Sequence, residues 1–195
     1  MFGRAQTLKQ LALSKTISED SGLCSRLLKE VFDKKPATSK VTFSMFQIYN
    51  ENVYDVLHRD DVPLQVLEDS GHQSCVQGLA SFEISTVEDA FYLLAKGDSK
   101  RYVRETEFNA QSSRSHTIAV LEYTQTSVEG ITKVRSAITQ ESRMILCDLA
   151  GSERMTELIN PKEKRFVEMK YINLSLTALG KTDFDYRQSY LHNVL

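Results

Sequence analysis

The sequence predicts an α/β fold of three layers, in which a mixed β-sheet is covered by helices on both faces. Apolar segments typical of buried strands occur along the chain together with amphipathic segments of helical period. The 195 residues are enough for one domain with a sizeable core, and 41 % hydrophobic with 26 % charged residues is ordinary globular usage. These observations exclude low-complexity disorder and a collagen-like chain.

Composition also limits the partners. The 24 Lys and Arg against 26 Asp and Glu give a formal charge of -2, so no global basic excess points to nucleic acid or to an anionic membrane. Three dispersed cysteines, Cys24, Cys75 and Cys147, fit neither a disulfide framework nor a Cys-x-x-Cys metal site, which indicates a reducing compartment. No apolar run has the length of a membrane span, and the N-terminus carries no signal-peptide core. Any charged partner is therefore expected to bind a local patch.

The chain is expected to hold one domain behind a loose N-terminal segment. Residues 1–21 are polar and weakly patterned, whereas residues 22–195 contain no linker, since the whole chain has only 8 Gly and 3 Pro. The first predicted element is a helix over residues 22–34, whose leucines recur at helical spacing. Asp20 or Ser21 is expected to cap this helix.

Strand patterns follow. Residues 40–50 carry alternating and then continuous apolar side chains, which predicts a strand mostly buried in a sheet. Residues 50–52 predict a turn, and brief apolar runs at 53–57 and 64–66 predict two short strands.

The next predicted element is a helix over residues 86–97. Thr86 is its expected N-cap, and Gly97 is expected to end it. The pattern then predicts two strands and an amphipathic helix, over residues 116–126, 143–149 and 163–180.

A dense polar run, NAQSSRSH at residues 109–116, lies directly before a predicted strand. From the residues alone it is either a serine-rich loop or a loop that senses phosphate. In the second case serine hydroxyls would be compact ligands for Mg²⁺, and Arg114 would offer a fork of donors to a carboxylate or phosphate.

A second run, CDLAGSER at residues 147–154, places Asp148 at the end of an apolar strand and Gly151 three residues later. This is the layout of a Walker B and switch II element, in which the acid orients the Mg²⁺ shell and the glycine amide approaches a γ-phosphate. Alone, the pattern is also compatible with a simple strand end.

The two runs at this spacing, followed by INLSLTALG, resemble the kinesin motor domain. FSMFQIYNENVYDVL resembles another signature of the family, with Gln47 in place of the usual acid, and SGLCSRLLKEVF, GDSKRYVRETEFN and FDYRQSYLHNVL are similar to further family segments. The resemblance implies a sheet-and-helix fold of the P-loop NTPase type. It implies, as the family activity, ATP-driven movement along microtubules in the cytoplasm.

The resemblance also implies cofactors, ATP or ADP with Mg²⁺, and assigns residues to them. The polar run at residues 109–116 resembles the loop called switch I in the family. It would contact the nucleotide through Asn109, Ser112, Ser113 and His116. Ser113 would join the Mg²⁺ shell, Asp148 would hold the ion through water, and Gly151 would sense the γ-phosphate.

Two further roles follow from the resemblance. Arg114 and Glu153 would form the salt bridge that closes the two switches around the attacking water, with Gly151 beside it. The expected partner is the microtubule. It would contact basic residues of the helix predicted over residues 163–180 and of the loop before it, namely Lys162, Lys164, Arg165 and Lys170. No nucleic acid beyond the nucleotide, and no membrane, is expected as a partner.

The sequence departs from the family in one large respect. The phosphate cradle G-x-x-x-x-G-K-[ST] does not occur in it, and SLTALGKT at residues 175–182 matches only the end of that motif while finishing a helix. Gly180 is followed too soon by Tyr186, which suggests a deletion. We therefore expect a partial motor domain, incomplete at both ends of its sheet and unable to hydrolyse ATP alone. The alternatives are a non-catalytic microtubule-binding or regulatory module and a fragment without a stable fold.

Overall fold

The computed structural model describes residues 21–58, 60–68, 74–107, 114–129, 136–152 and 164–180. Within these ranges the elements are α1 (Leu23–Lys34), β1 (Ser39–Tyr49), β2 (Asn52–Asp55), β3 (Gln65–Glu68), β4 (Ser74–Gln77), β5 (Phe82–Ile84), α2 (Val87–Glu107), β6 (His116–Glu129), β7 (Ser136–Asp148) and α3 (Lys164–Gly180). The predicted α/β class is confirmed. The predicted loose segment before the domain lies outside the described residues, apart from Ser21.

Strand β1 organises the main sheet, whose strand order is β2-β1-β6-β7. β2 pairs antiparallel with the end of β1, where Phe46 lies opposite Asp55, and β5 pairs with its beginning, where Val41 lies opposite Ile84. All residues from 43 to 48 are buried, which confirms the predicted buried strand. β3 and β4 form a separate antiparallel pair.

Tertiary contacts divide the chain into two compact units. The first unit comprises residues 1–44, 81–98 and 119–146, and the second comprises residues 45–80, 99–118 and 147–195.

The first unit has an apolar core built from α1, the start of β1 and the first half of α2. Its fully buried side chains include Leu28, Phe43, Phe91 and Leu94. The predicted helix over residues 22–34 is confirmed, but its N-cap is Gly22, which makes no side-chain cap hydrogen bond. The predicted cap at Ser21 is therefore wrong, and Asp20 lies outside the described residues.

Helix α2 begins as predicted and ends later than predicted. The Thr86 hydroxyl accepts the Asp89 amide, and the Asp89 carboxylate accepts the amides of Ser85 and Thr86, which is a capping box. Gly97 does not end the helix, which continues to Glu107. Gly97 is buried and has no positive φ, so its lack of a side chain allows close packing instead of the left-handed turn of a helix end.

The second unit has a core of apolar side chains from the end of β1, from β2 and from α3, including Phe46, Val53, Met169 and Ile172. Asp55 is buried beneath the loop that follows β2, where its carboxylate accepts the amides of Leu57, His58 and Ala80 at 2.6, 2.9 and 2.8 Å. The Lys100 ammonium donates to the carbonyl of His58 and lies 3.3 Å from the Asp61 carboxylate, so it fastens the same loop to α2.

A tight turn joins β1 to β2 at Asn50 and Glu51, as predicted. Both residues have positive φ, 53° and 56°, which is the conformation that a two-residue hairpin of the primed type requires. Asparagine adopts it readily, whereas glutamate rarely does. Asn52 supports the turn by donating from its side-chain amide to the Asn50 carbonyl at 2.9 Å.

Candidate functional site

The described residues of the candidate site all belong to the second unit. They come from the end of β7, the start of β6 and helix α3. β7 ends at Asp148, as the sequence pattern predicts, and Gly151 follows in an exposed position. β6 begins at His116, the last residue of the polar run.

Asp148 keeps a carboxylate that solvent can reach. Its side chain is 35 % exposed, and one carboxylate oxygen lies 3.9 Å from an Arg101 guanidinium nitrogen. The arginine side chain is only 16 % exposed, so it is held in place while the acid remains accessible. An acid in this position can hold a hydrated cation while a neighbouring positive charge favours an anionic ligand.

A buried ion pair joins the polar run to helix α3. Arg114 donates from Nη1 to Glu168 Oε2 at 2.9 Å, and the two side chains are 13 % and 4 % exposed. Tyr49 donates its hydroxyl to the other oxygen, Oε1, at 2.5 Å. Burial raises the pKa of Tyr49 well above its usual value, and the hydrogen bond to the Glu168 carboxylate raises it further. Tyr49 therefore stays a proton donor at neutral pH.

Both ring nitrogens of His116 have protein partners. The imidazole is 3 % exposed; its Nδ1 lies 3.0 Å from the amide of Ala150, and its Nε2 lies 2.9 Å from the Ser175 hydroxyl on α3. Burial lowers the pKa of His116 to about 4. The ring is thus neutral at pH 7.

A small polar cleft lies beside these groups. It has a volume of about 10 Å³, room for about one water, and its lining includes Arg114, His116 and Tyr171. On the neighbouring strand Gln47 donates to the Ser115 hydroxyl at 2.8 Å. Within the described part of the chain the Gln47 carbonyl oxygen is buried without a hydrogen-bond partner.

The structure covers only some of the predicted site residues. Arg114, His116, Asp148, Gly151 and Lys170 are described, and Lys170 is exposed on α3. The remaining predicted residues lie outside the described backbone or have side chains outside the description, namely Asn109, Ser112, Ser113, Glu153, Lys162, Lys164 and Arg165. The predicted pairing of Arg114 with Glu153 therefore stays a prediction, and the described partner of Arg114 is Glu168.

Sequence reasoning missed Tyr49, Glu168 and Ser175. Their contacts join positions far apart in the chain, such as the 119 positions between Tyr49 and Glu168, and local periodicity carries no information on them. One signal was available: Glu168 and Ser175 share the helical stripe of Ile172, at spacings of four and three. Polar residues on a buried stripe need buried partners.

No group of three or more His, Cys, Asp or Glu side chains among the described residues could hold a metal ion. No described helix is long and apolar enough to cross a membrane.

Comparison with known proteins gives one consistent family. A sequence model of the Kinesin motor domain matches residues 1–187. Kinesin-like protein 3 of Schizosaccharomyces pombe is 39 % identical over 167 residues, which are 83 % of this chain and 29 % of that protein. Kinesin-like protein KIN-5A of Arabidopsis thaliana is 32 % identical and matches 92 % of this chain and 18 % of that protein.

Solved structures agree. A structure described as that of a fast kinesin superposes with a TM-score of 0.73 and 27 % identity, over 91 % of this chain and 52 % of that one. A KIF14 dimer with AMP-PNP in complex with a microtubule gives a TM-score of 0.69 and 30 % identity, over 92 % and 56 %. The chain thus spans about half of these solved structures and less than a third of the two curated relatives.

Proposed function

This chain belongs to the kinesin motor domain family, and from that premise we propose that it is part of a motor that uses ATP to move along microtubules in the cytoplasm. The observation that carries the proposal is the family match over residues 1–187. The contacts of the described site support it, because they join the end of β7 and the start of β6 to helix α3.

The proposed nucleotide site uses both polar runs. Asn109, Ser112 and Ser113 would contact the nucleotide, Asp148 would hold Mg²⁺ through water, and the Gly151 amide would sense the γ-phosphate. The exposure of Asp148 and Gly151 fits this role, since an acid that holds a hydrated ion must be accessible. When bound, Mg²⁺ would neutralise charge that develops on the phosphate oxygens.

His116 fits a different role from its predicted contact with nucleotide. Its two ring nitrogens are already bonded to Ala150 and Ser175, and the ring is buried. We propose that it positions the loop after β7 instead of binding the nucleotide.

Arg114 remains the proposed partner of Glu153 when the switches close. Its guanidinium has five N–H donors, and the described bond to Glu168 uses one nitrogen, Nη1. A second carboxylate can therefore bind while Glu168 keeps the arginine in position. The Arg114–Glu153 pair would orient the attacking water, and a nucleophile held in the right position reacts faster.

The proposed microtubule contacts are Lys162, Lys164, Arg165 and Lys170. Exposure of Lys170 on α3 supports this assignment. Charge contacts of this kind weaken with salt, because the Debye length falls from about 10 Å at 0.1 M to about 3 Å at 1 M.

We further propose that the 195-residue chain by itself binds Mg-ATP very weakly and does not hydrolyse it at motor-like rates. The phosphate-cradle motif does not occur in its sequence, and positioning supplies most of the catalysis in phosphoryl transfer.

Two assays on the chain test these proposals. Phosphate release is expected to stay at background with and without microtubules. Release stimulated by microtubules would contradict the proposal that the chain alone does not hydrolyse ATP.

In co-sedimentation, neutralising the four proposed contact residues is expected to weaken microtubule binding more than neutralising Lys9, Lys15, Lys34 and Lys35. Equal loss from both sets would mean non-specific attraction and would remove the assignment of the contact surface.

The missing phosphate-cradle motif favours a second candidate function, a non-catalytic microtubule-binding or regulatory module. The two candidates differ when an upstream segment carrying the motif is joined to the chain. A motor would gain microtubule-stimulated ATP hydrolysis that Arg114→Ala and Glu153→Ala each abolish. A module would bind microtubules and remain without hydrolysis.

A further inference from the structure

Three hydrogen bonds run in series from the loop after β7 to helix α3. The Ala150 amide lies 3.0 Å from His116 Nδ1, His116 Nε2 lies 2.9 Å from Ser175 Oγ, and Ser175 Oγ donates to the Ile172 carbonyl at 2.8 Å. All the side-chain atoms in the series belong to buried residues.

The chemistry of the end groups fixes the direction of every bond. A backbone amide can only donate, so His116 Nδ1 must be the unprotonated acceptor and the ring proton must lie on Nε2. Nε2–H then donates to Ser175 Oγ, whose own proton is already directed to the Ile172 carbonyl. The series is fully satisfied with a neutral imidazole, and a second ring proton would face the Ala150 N–H.

The position of Ala150 gives the series its importance. Ala150 directly precedes Gly151, the proposed phosphate sensor, and Ser175 lies on the helix that carries Lys170, a proposed microtubule contact. A displacement of α3 that moves Ser175 must either break its bond to His116 Nε2 or carry the imidazole with it, and a ring that moves must disturb its bond to the Ala150 amide.

We propose that His116 is a positioning residue that couples helix α3 to the backbone beside Gly151, through a single imidazole of fixed tautomer. This inference rests on the proposed function for the meaning of its two ends. The coupling itself does not depend on nucleotide or microtubules and can be tested without either.

Two conservative replacements separate the two bonds. In His116→Asn the side-chain oxygen can take the place of Nδ1 and keep the Ala150 amide, but the side chain is too short to bond Ser175. In His116→Gln the side-chain NH₂ can take the place of Nε2 and keep Ser175, but no acceptor remains for Ala150. Ser175→Ala breaks the series at the helix without touching Ala150. Thr117→Val is the matched control, because Thr117 is a fully buried neighbour whose hydroxyl has no hydrogen-bond partner in the described residues.

Amide hydrogen exchange at Ala150 in the 195-residue chain is the measurement, with a buried β1 amide such as that of Phe43 as the reference for global opening. We expect Ser175→Ala to speed Ala150 exchange relative to Phe43 by roughly five- to tenfold, the usual effect of one hydrogen bond. His116→Gln should do the same, and Thr117→Val should not. In the His116→Asn background the further change Ser175→Ala should have no effect, because the series is already cut.

A merely structural histidine would give a different pattern. Then Ser175→Ala would leave Ala150 unchanged, or would speed exchange equally in both backgrounds, and either result overturns the coupling. Nitrogen NMR of the ring provides an independent check: a proton on Nδ1 at pH 7 would also overturn it. Failure of microtubule binding would contradict the proposed function and leave this test intact.

Discussion

The two units differ in how exposed their ion pairs are to solvent. Among the described residues of the first unit the ion pairs lie at the surface. Examples are Lys29 with Asp33, Lys40 with Glu83 and Arg143 with Glu122, whose basic side chains are 45–71 % exposed and whose acidic side chains are 46–59 % exposed. The second unit also has partly exposed pairs, such as Lys100 with Asp61 at 21 % and 52 %, but it contains in addition the Arg114–Glu168 pair, whose side chains are only 13 % and 4 % exposed.

Burial changes what a charge pair does. Exposed pairs contribute about 0–1 kcal/mol, because water solvates each partner well on its own. A buried pair adds little net stability over apolar packing, but each partner strongly requires the other. The described ion pairs of the first unit therefore add little to its stability, whereas in the second unit Arg114 and Glu168 fix each other's position.

The largest expected effect comes from removing one buried partner. Glu168→Ala leaves the Arg114 guanidinium buried without its carboxylate and removes the acceptor of the Tyr49 hydroxyl, so we expect a loss of about 3–5 kcal/mol in the free energy of unfolding. Glu122→Ala, the matched change in the first unit, is expected to cost about 0–1 kcal/mol. Urea denaturation of the two variants measures both values. Equal losses would abolish the distinction between the units.

A smaller effect is expected from pH, through His116. The pKa of His116 is about 4 in the folded chain, against 6.5 for an ordinary imidazole. Between pH 6.5 and pH 4 the imidazole is therefore protonated in the unfolded chain but neutral in the folded chain. Stability from this group is fully present above pH 6.5 and is lost as the pH falls toward 4. The loss amounts to about 3 kcal/mol, since each pKa unit corresponds to about 1.4 kcal/mol.

Denaturation of the parent and His116→Asn between pH 7 and pH 4.5 isolates this contribution. Neighbouring charged and titratable groups lining the same cleft, Arg114, Glu51 and Tyr171, are common to both chains. The parent should lose stability more steeply than the variant as the pH falls. Parallel curves would mean that the imidazole is not held neutral by burial.

The sequence predicts the elements of both units better than the contacts within the second. Periodic side chains place β1, β6 and α3, because burial on one face is a local property of the chain. The predicted end of α2 was wrong, because the sequence does not distinguish a glycine that permits close packing from a glycine that ends a helix. Gly97 is buried, and only tertiary structure distinguishes the two roles.

The candidate site divides in the same way. The nucleotide roles of Asp148 and Gly151 are predictions from a local pattern and a family resemblance. The contacts of Glu168 could not be predicted in this way, because its partners come from β1 and from the segment before β6, and the pairing of a buried charge depends on which elements meet. His116 was predicted as a nucleotide contact, and its partners Ala150 and Ser175 are visible only in the three-dimensional structure.

The smallest expected effect concerns salt. In the first unit two Arg143 nitrogens contact the same Glu122 oxygen at 3.2 and 2.8 Å, and the side chains are 53 % and 46 % exposed. Glu122→Gln should cost less than about 1 kcal/mol at low ionic strength. That cost should vanish near 1 M salt, where the Debye length is about 3 Å. The cost of Glu168→Gln should persist at the same salt concentration, because mobile ions do not enter the buried site. Denaturation of both variants at low and high salt measures the two differences. If salt removes the cost of Glu168→Gln as well, the Arg114–Glu168 pair is solvated like a surface pair, and the contrast between the two units fails where it matters most for function.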